Sequence, residues 1–343
     1  MEYNNLPPME RFMAKVSIIL NSFNQDEYFE TAIKSVLKQT YKDFELIISE
    51  NGSTDNTKNI MYKYASNPII KILDYKNNDV IGKRFNQAIK NSTGEFICFL
   101  YSDDFIDKNK ILIQVKEFEK VSNEYGVIYS DVEIFNEYSK KNFKRKVIKC
   151  DGWSLKNQLE KIHIDGHIDM VSPMIKKECL IKHKFLENIF AEGEGILLRI
   201  AQDYKFKYIP YSLAYFRDTK FNRGKAIIQN LKFHYETLNI LEKNLLNKNS
   251  NMINSLKMYR FYFTQNVAWG NLRANGDMSE TEKIFSEIIN LKNFKYFNSK
   301  TFILFIIKKF PKKIIEILNL FFDRLFNIKT NNIFIKNYGG KDR

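Results

Sequence analysis

The sequence predicts an α/β fold: an open, mostly parallel, doubly wound sheet followed by a helical C-terminal extension. Three observations carry this expectation. Strand-like and helix-like patterns alternate β-α-β-α-β-α-β between residues 15 and 100. The first strand run, KVSIIL, is apolar with no polar face, as in strands covered by helices on both sides. Polar clusters follow the first, second and fourth runs, at the carboxyl ends where open α/β sheets bind ligands.

The elements follow in order. KVSIIL (15–20) reads as the first strand, and NSFNQDEYF as a loop entering a helix at about 28–39. That helix places Ala32, Ile33, Val36 and Leu37 on one face. FELIIS (44–49) is the second strand, and ENGSTDNT is a turn-rich loop with N-cap residues. TKNIMYKYA is helical, IIKILDY (69–75) is the third strand and IGKRFNQAIKNS (81–92) the next helix. EFICFL (95–100) is the fourth strand and runs directly into YSDD. The clusters NSFN, ENGSTD and YSDD are therefore expected to converge on one crevice. Further on, YGVIYSDVEIF reads as a strand pair and SPMIKKECL as strand then helix. EGEGILLRIAQDY reads as a helix packing through Ile196, Leu197 and Ile200, and FKYIPYSLAYFRD as a strand. From about Ile227 the pattern turns helical through Met278, and the last stretch, TFILFIIKKFPKKIIEILNLFFDRLFNIK, is apolar and basic.

The chain has 343 residues and a mass of 40.8 kDa. At roughly 150 residues per domain this suggests two domains, or one with an appendage. With 44% hydrophobic and 27% charged residues, disorder as the main state is excluded. The three cysteines, Cys98, Cys150 and Cys179, form no CxxC pair, which excludes a disulfide framework and a cysteine zinc site. No apolar run reaches the roughly 18 residues of a membrane span. MEYNNLPPMERFMAK lacks the apolar core of a signal peptide, so a cytoplasmic chain is expected. The net charge of +14 favours anionic partners, although a lysine-rich composition gives the same surplus. No recognisable nucleic-acid module accompanies it, so nucleic acid is not an expected partner.

Adjacent carboxylates at the end of a buried strand, as in YSDD, are costly unless paired or ligating a cation. One or two carboxylates plus substrate phosphates is the usual setting for a hard divalent ion; a solvated turn capping the next helix is the plain alternative. ENGSTDNT permits a tight turn with exposed amides, and Glu50 or Asp55 could accept from a base or ribose. Lys83 and Arg84 open the third helix, where pyrophosphate oxygens could meet amides and side chains together. Glu192 and Glu194 precede an apolar helix, where a carboxylate serves either as a general base or as a partner to the helix dipole. His163 and His167 are four apart and would share one face of a helix. The chain shows no P-loop, no Ser-His-Asp order and no dinucleotide fingerprint.

Taken in order, VSIILNSFNQ, FELIISENGSTDNT, GKRFNQAI, GEFICFLYSDD, EGEGILLRIA and YIPYSLAYFRDT resemble glycosyltransferase family 2. The resemblance covers about residues 14–225. It implies the GT-A nucleotide-sugar fold, a catalytic domain over 14–225, an N-terminal extension over 1–13 and a helical, basic region over 226–343. The family's first loop usually reads Pro-Thr-Tyr-Asn, with its backbone at the nucleobase; here it is Asn21-Ser22-Phe23-Asn24. Its second loop usually carries two aspartates, the first contacting the base; here they are Glu50 and Asn51, and Asp55 matches the later aspartate. The basic residue and Asn of the third helix correspond to Lys83 or Arg84 and Asn86. The metal motif Asp-x-Asp-Asp becomes Tyr101-Ser102-Asp103-Asp104, which implies Mn²⁺ or Mg²⁺ at Asp103 and Asp104, with Ser102 and Asp103 at the donor. A His used by the family as a further ligand corresponds to Thr219. The family's Glu-Asp, counted back from Arg199, falls on Glu192 and Gly193, so Glu192 or Glu194 takes the place of the usual base.

The resemblance implies an inverting, metal-dependent transfer of a hexosyl or N-acetylhexosaminyl group from a nucleoside diphosphate sugar, UDP before dTDP, to a glycan or lipid-linked acceptor. Lipopolysaccharide, capsule or other bacterial surface-glycan assembly is the expected setting. Residues 302–328 form a basic, apolar helical pattern. It suits either an anionic membrane surface on the cytoplasmic side or packing on the catalytic domain or in a homodimer. The rival reading is a catalytically degenerate nucleotide-sugar binder or scaffold, prompted by Tyr101, Gly193 and Thr219.

Overall fold

The structure is a computed structural model. It describes residues 15–136, 141–188, 195–218, 227–245 and 250–273, together with Lys283, Ser286 and Tyr296. The N-terminal extension and the 302–328 stretch lie outside the described residues.

Four strands form the parallel half of the sheet: β1 (Val16–Ser22), β2 (Phe44–Asn51), β3 (Ile70–Tyr75) and β4 (Phe96–Tyr101). Helices α1 (Asp26–Leu37), α2 (Thr57–Tyr62) and α3 (Ile81–Asn91) connect them. A short strand β5 (Phe105–Ile106) and helix α4 (Lys110–Phe118) come next. The long strand β6 (Tyr125–Asn136) pairs with β7 (Lys141–Lys144), and β8 (Asp151–Gly152) leads to α5 (Leu155–Asp165). Then come β9 (Met174–Lys176), α6 (Lys177–Lys182), α7 (Gly195–Ile200) and β10 (Lys205–Asp218). Two long helices, α8 (Ile227–Leu245) and α9 (Ser250–Arg273), follow.

The sheet order is β3-β2-β1-β4-β9-β6-β10-β5, with β7 on β6 and β8 on β10. The pairs β3-β2-β1-β4 and β6-β10 are parallel, and β9 runs antiparallel between β4 and β6. β1 thus sits among apolar neighbours, and all seven of its residues are buried. Alternate residues feed two cores. Ile19, Ile47, Phe99 and Tyr129 pack under α3 and α7. Ile18, Leu20, Ile48 and Leu100 pack under α1 and α4 with Phe29, Ile33, Ile111 and Val115. Leu238, Leu241, Leu256 and Tyr259 of the C-terminal helices join the first of these cores. Among the described residues no helix is long and apolar enough to cross a membrane.

One element differs from the pattern reading. YGVIYSDVEIF lies within one twelve-residue strand, β6, and is not a strand pair. Its turn-type pair Ser130-Asp131 stays within the strand because both side chains are buried, with Ser130 N–H donating to Ser172 Oγ, while Val127/Tyr129 and Ile128/Val132 fill the two cores. β10 stays continuous by bulging: its register on β6 shifts between Ile209 and Ser212, around Pro210, which has no N–H for the ladder.

Candidate functional site

The carboxyl ends of β1, β2 and β4 lie side by side, with Asn21 opposite both Ser49 and Tyr101. The three polar clusters therefore open on one edge of the sheet. The loops after β1 and β2 are stapled together. Asn24 takes a left-handed backbone (φ 49°), a conformation that Asn tolerates better than most residues. Its N–H donates to Ser53 Oγ at 2.9 Å, and its Oδ1 accepts from Thr54 N–H at 2.8 Å. Asp55 bridges the helix starts, accepting from Asp26 N–H (3.1 Å) and Thr57 N–H (3.0 Å). Phe23 is half-buried beside this staple, and Ser22 is fully buried.

Glu50 is buried beneath the second loop. Its carboxylate accepts from Gly52 N–H (3.0 Å) and Ser53 N–H (2.8 Å) and faces Lys58 Nζ at 3.3 Å. Lys58 also pairs with Asp74 at 2.7 Å. Burial pushes the Asp74 carboxyl up, but the bonds from Lys58 and Tyr62 outweigh it and hold it low. Asn51 is equally enclosed. Its amide donates to Asn78 Oδ1 (2.7 Å) and Asp79 O (2.9 Å), and its Oδ1 accepts from Asp79 N–H (3.0 Å) and Arg84 Nε (2.6 Å). Arg84 is buried, donates further to Gln87 and Asn77 O, and stacks on Tyr75 with its guanidinium carbon 3.8 Å from the ring centre. Lys83 is half-exposed and pairs with Asp79 at 2.7 Å, which holds the Asp79 carboxyl below its ordinary range. Of the two basic residues, Lys83 is the one that solvent reaches.

At the end of β4, Ser102 and Asp104 are buried and Asp103 is half-buried. Asp104 Oδ1 accepts from the backbone N–H of Arg217 at 2.9 Å, and Arg217 Nε donates to Asp103 O at 2.9 Å. The end of β10 is thereby pinned to the acidic turn. Burial, with the neighbouring Asp103 charge, pushes the Asp104 carboxyl well up. Arg217 is itself enclosed by the rings of Tyr28, Phe105 and Phe135. Among the described residues no three His, Cys, Asp or Glu side chains come together to hold a metal. The donor set at Asp103 fits a hard cation only as a shared site, completed by ligand oxygens and water.

Asn86, on α3, reaches the segment after α6: its Oδ1 accepts from Phe185 N–H (3.0 Å), and its Nδ2 donates to Phe185 O (2.9 Å) and Glu187 Oε1 (2.7 Å). Arg199 of α7 is buried and donates to Lys184 O at 2.9 Å and His183 O at 3.3 Å. Glu192 and Glu194, like Gly193 and Thr219, lie outside the described residues.

The helical spacing of His163 and His167 does not bring them together. α5 ends at Asp165, and Gly166 turns the chain with φ 91°. His163 stacks on Tyr262 with ring centres 3.8 Å apart, whereas His167 joins Arg145 and Asp169. Asn21 Oδ1, Ser22 Oγ and Ser49 Oγ are buried with no hydrogen-bond partner. Ser22 was expected at the donor; sequence reasoning missed Ser49, whose one signal was a polar side chain near the end of a largely apolar strand run.

Residues 17–179 match the family model described as Glycosyl transferase family 2. The chain carries a glycosyltransferase family 2 domain. The family 2 domain is similar to UDP-Glc:alpha-D-GlcNAc-diphosphoundecaprenol beta-1,3-glucosyltransferase WfgD of Escherichia coli, at 36% identity over 124 residues, 36% of this chain and 48% of that protein. A glycosyltransferase of Rickettsia conorii is also 36% identical, over 38% of this chain and 21% of its own length. The chain thus spans less than half the length of these curated relatives. In fold, the chain resembles a mannosyltransferase from Pyrobaculum calidifontis solved with GDP-Man and Mn²⁺. That likeness has a TM-score of 0.56 at 12% identity, over 92% of this chain and 88% of that one. S. aureus TarS 1-349 with UDP-GlcNAc gives a TM-score of 0.51 at 17% identity, over 82% and 73%. These likenesses establish the GT-A type of fold.

Proposed function

We propose that the chain is an inverting glycosyltransferase. It moves a hexosyl or N-acetylhexosaminyl group from a nucleoside diphosphate sugar, UDP before dTDP, to a hydroxyl of a glycan acceptor in bacterial surface-glycan assembly. The observation that carries this reading is the convergence of the Asn24–Ser53 staple, Glu50 and Asp103 at the carboxyl ends of adjacent parallel strands. The name of the Escherichia coli relative, with a UDP-glucose donor and a diphosphoundecaprenol-linked acceptor, supports UDP and a lipid-linked acceptor. Such an acceptor places the working enzyme against a membrane surface, the role proposed for 302–328.

In this mechanism the nucleotide lies over the Phe23–Asn24 and Glu50–Asp55 loops, whose backbone is fixed before binding. The partnerless Asn21 and Ser49 groups supply polar contacts in the crevice floor. Mn²⁺ or Mg²⁺, held by Asp103 with Asp104 beside it, would neutralise charge developing on the leaving diphosphate. Lys83 adds a cation on the donor side. A carboxylate of Glu192 or Glu194 takes the acceptor hydroxyl proton as that oxygen attacks the anomeric carbon in line, which inverts the configuration.

A thermal-shift panel of nucleoside diphosphates and their sugars, with and without Mn²⁺, tests this. Ligand bound to the native state raises the midpoint by mass action. The expected result is a shift by UDP and a UDP-sugar that Mn²⁺ enlarges and Asp103→Ala abolishes. No shift with any nucleotide overturns the reading. A shift without turnover of any donor favours the degenerate binder.

A further inference from the structure

We propose that Asn86 is a positioning residue that fixes the segment 185–187 for catalysis without contacting the donor. The inference rests on the transferase reading. That segment is the described stem of 189–194, the stretch to which the family resemblance assigns the base.

Phe185 is buried, and between α6 and α7 it has no strand neighbour. A buried backbone N–H or C=O left without a partner is costly. Asn86 supplies both partners, accepting from Phe185 N–H and donating to Phe185 O, as a neighbouring strand would. Its second amide hydrogen goes to Glu187 Oε1. Both donors of the side chain are thus engaged with this segment, and neither points to a nucleotide.

A second observation places the same segment against α3. A Cβ built on Gly82, one turn before Asn86, would lie 2.2 Å from Leu186 O and 3.3 Å from Phe185 Cβ. Only glycine admits this approach. The Phe185 ring completes the contact on Phe85 and Phe99, with centres 5.0 and 5.4 Å apart. From the other side Arg199 holds the carbonyls of His183 and Lys184, and Asn188 donates to Glu236 of α8. α3 is also tied to the second nucleotide-side loop through Arg84 and Asn51. One helix therefore sets the distance between the donor loops and the stem that leads to the base. Misplacing a reacting group by about 1 Å costs on the order of 10²-fold in rate.

The test uses the full chain with Asn86→Ala, the isosteric Asn86→Asp and Gly82→Ala. UDP affinity is measured by calorimetry with Mn²⁺. Turnover is measured as UDP release from UDP-glucose or UDP-N-acetylglucosamine, and fold by thermal midpoint. Asn86→Ala and Gly82→Ala are expected to keep UDP affinity and lose about 10²-fold in kcat. Asn86→Asp keeps the acceptor for Phe185 N–H but sets a carboxylate against Glu187, and should share the kcat loss with affinity intact. UDP affinity falling in step with kcat makes Asn86 a donor contact and overturns the inference. Unchanged kcat in a folded Asn86 variant overturns it as well, with the transferase reading left standing. A wild type that neither binds UDP nor releases it from a donor overturns both.

Discussion

Asn24 holds Thr54 across the ends of two neighbouring strands, its Oδ1 accepting the Thr54 N–H at 2.8 Å while its own N–H reaches Ser53. The bond and the left-handed backbone of Asn24 separate by substitution. Asn24→Gly keeps the conformation and loses the bond, an expected cost of about 1 kcal/mol. Asn24→Ala loses the bond and adds about 1–2 kcal/mol for the left-handed conformation. Urea unfolding should rank wild type, Gly, Ala. Equal stability of the Gly and Ala variants would refute the conformational part.

Gly52 is constrained twice. Its φ is +80°, and a Cβ there would stand 2.6 Å from the backbone carbon of Asn77. Backbone has no rotamer to yield, so Gly52→Ala should cost about 1–3 kcal/mol. Because Gly52 N–H also binds Glu50, the variant is expected to weaken UDP-induced thermal stabilisation beyond its effect on the ligand-free midpoint. An unchanged midpoint would show that the loop has room the geometry denies.

Lys110 is fully buried on α4, its Nζ 2.6 Å from Gln114 Oε1 and 3.8 Å from Cys98 Sγ. Burial pushes its ammonium below the ordinary 10.5. In the window between that lowered value and 10.5 the unfolded chain binds more protons than the folded one. Stability from this group is therefore full above 10.5 and lost as pH falls through the folded value. Urea unfolding across neutral to alkaline pH, in a Cys98→Ala background so that the thiol does not titrate, should show stability rising with pH. Lys110→Met should flatten that rise, and an identical slope in both would refute the assignment.

Asp169 behaves in the opposite range. Burial pushes its carboxyl up, but Arg145, 2.9 Å away, and His167 outweigh this and hold it below 3.8. Its contribution is present above 3.8 and lost as pH falls through the folded value. Asp169→Asn leaves Arg145 without its carboxylate and should cost about 3 kcal/mol at neutral pH, where the pair is largely enclosed. That gap is expected to close in acid. A gap independent of pH would show that packing, not charge, is what the variant lost.

The parallel half of the fold was legible because each of its strands carries an apolar run and the connecting helices repeat an apolar face. Ile19 and Ile47 face one core and Ile18 and Ile48 the other, and that alternation suffices for β1 and β2. β6 was read as two strands because Ser130-Asp131 has the composition of a turn; partners distant in sequence, Ser172, Tyr208 and Lys144, are what let both residues stay in one strand. The site was legible as clusters, not as partners. Lys83 and Arg84 stand side by side in the sequence, yet one is half-exposed and the other buried against Asn51. His163 and His167 have helical spacing, but a helix end at Gly166 separates them.

The sequence by itself determined the β-α alternation, the family 2 domain over residues 17–179, and the meeting of NSFN, ENGSTD and YSDD at one sheet edge. All three follow from local periodicity and chain order, which survive in one dimension. Only the tertiary structure decided which protein groups these polar side chains meet. Glu50 is taken up by its own loop amides, Asn86 by Phe185 and Glu187, and Asp104 by the N–H of Arg217, residues as far as 113 positions apart. A buried hydrogen bond depends on which segments packing brings within 3 Å, and no spacing along the chain encodes that distance.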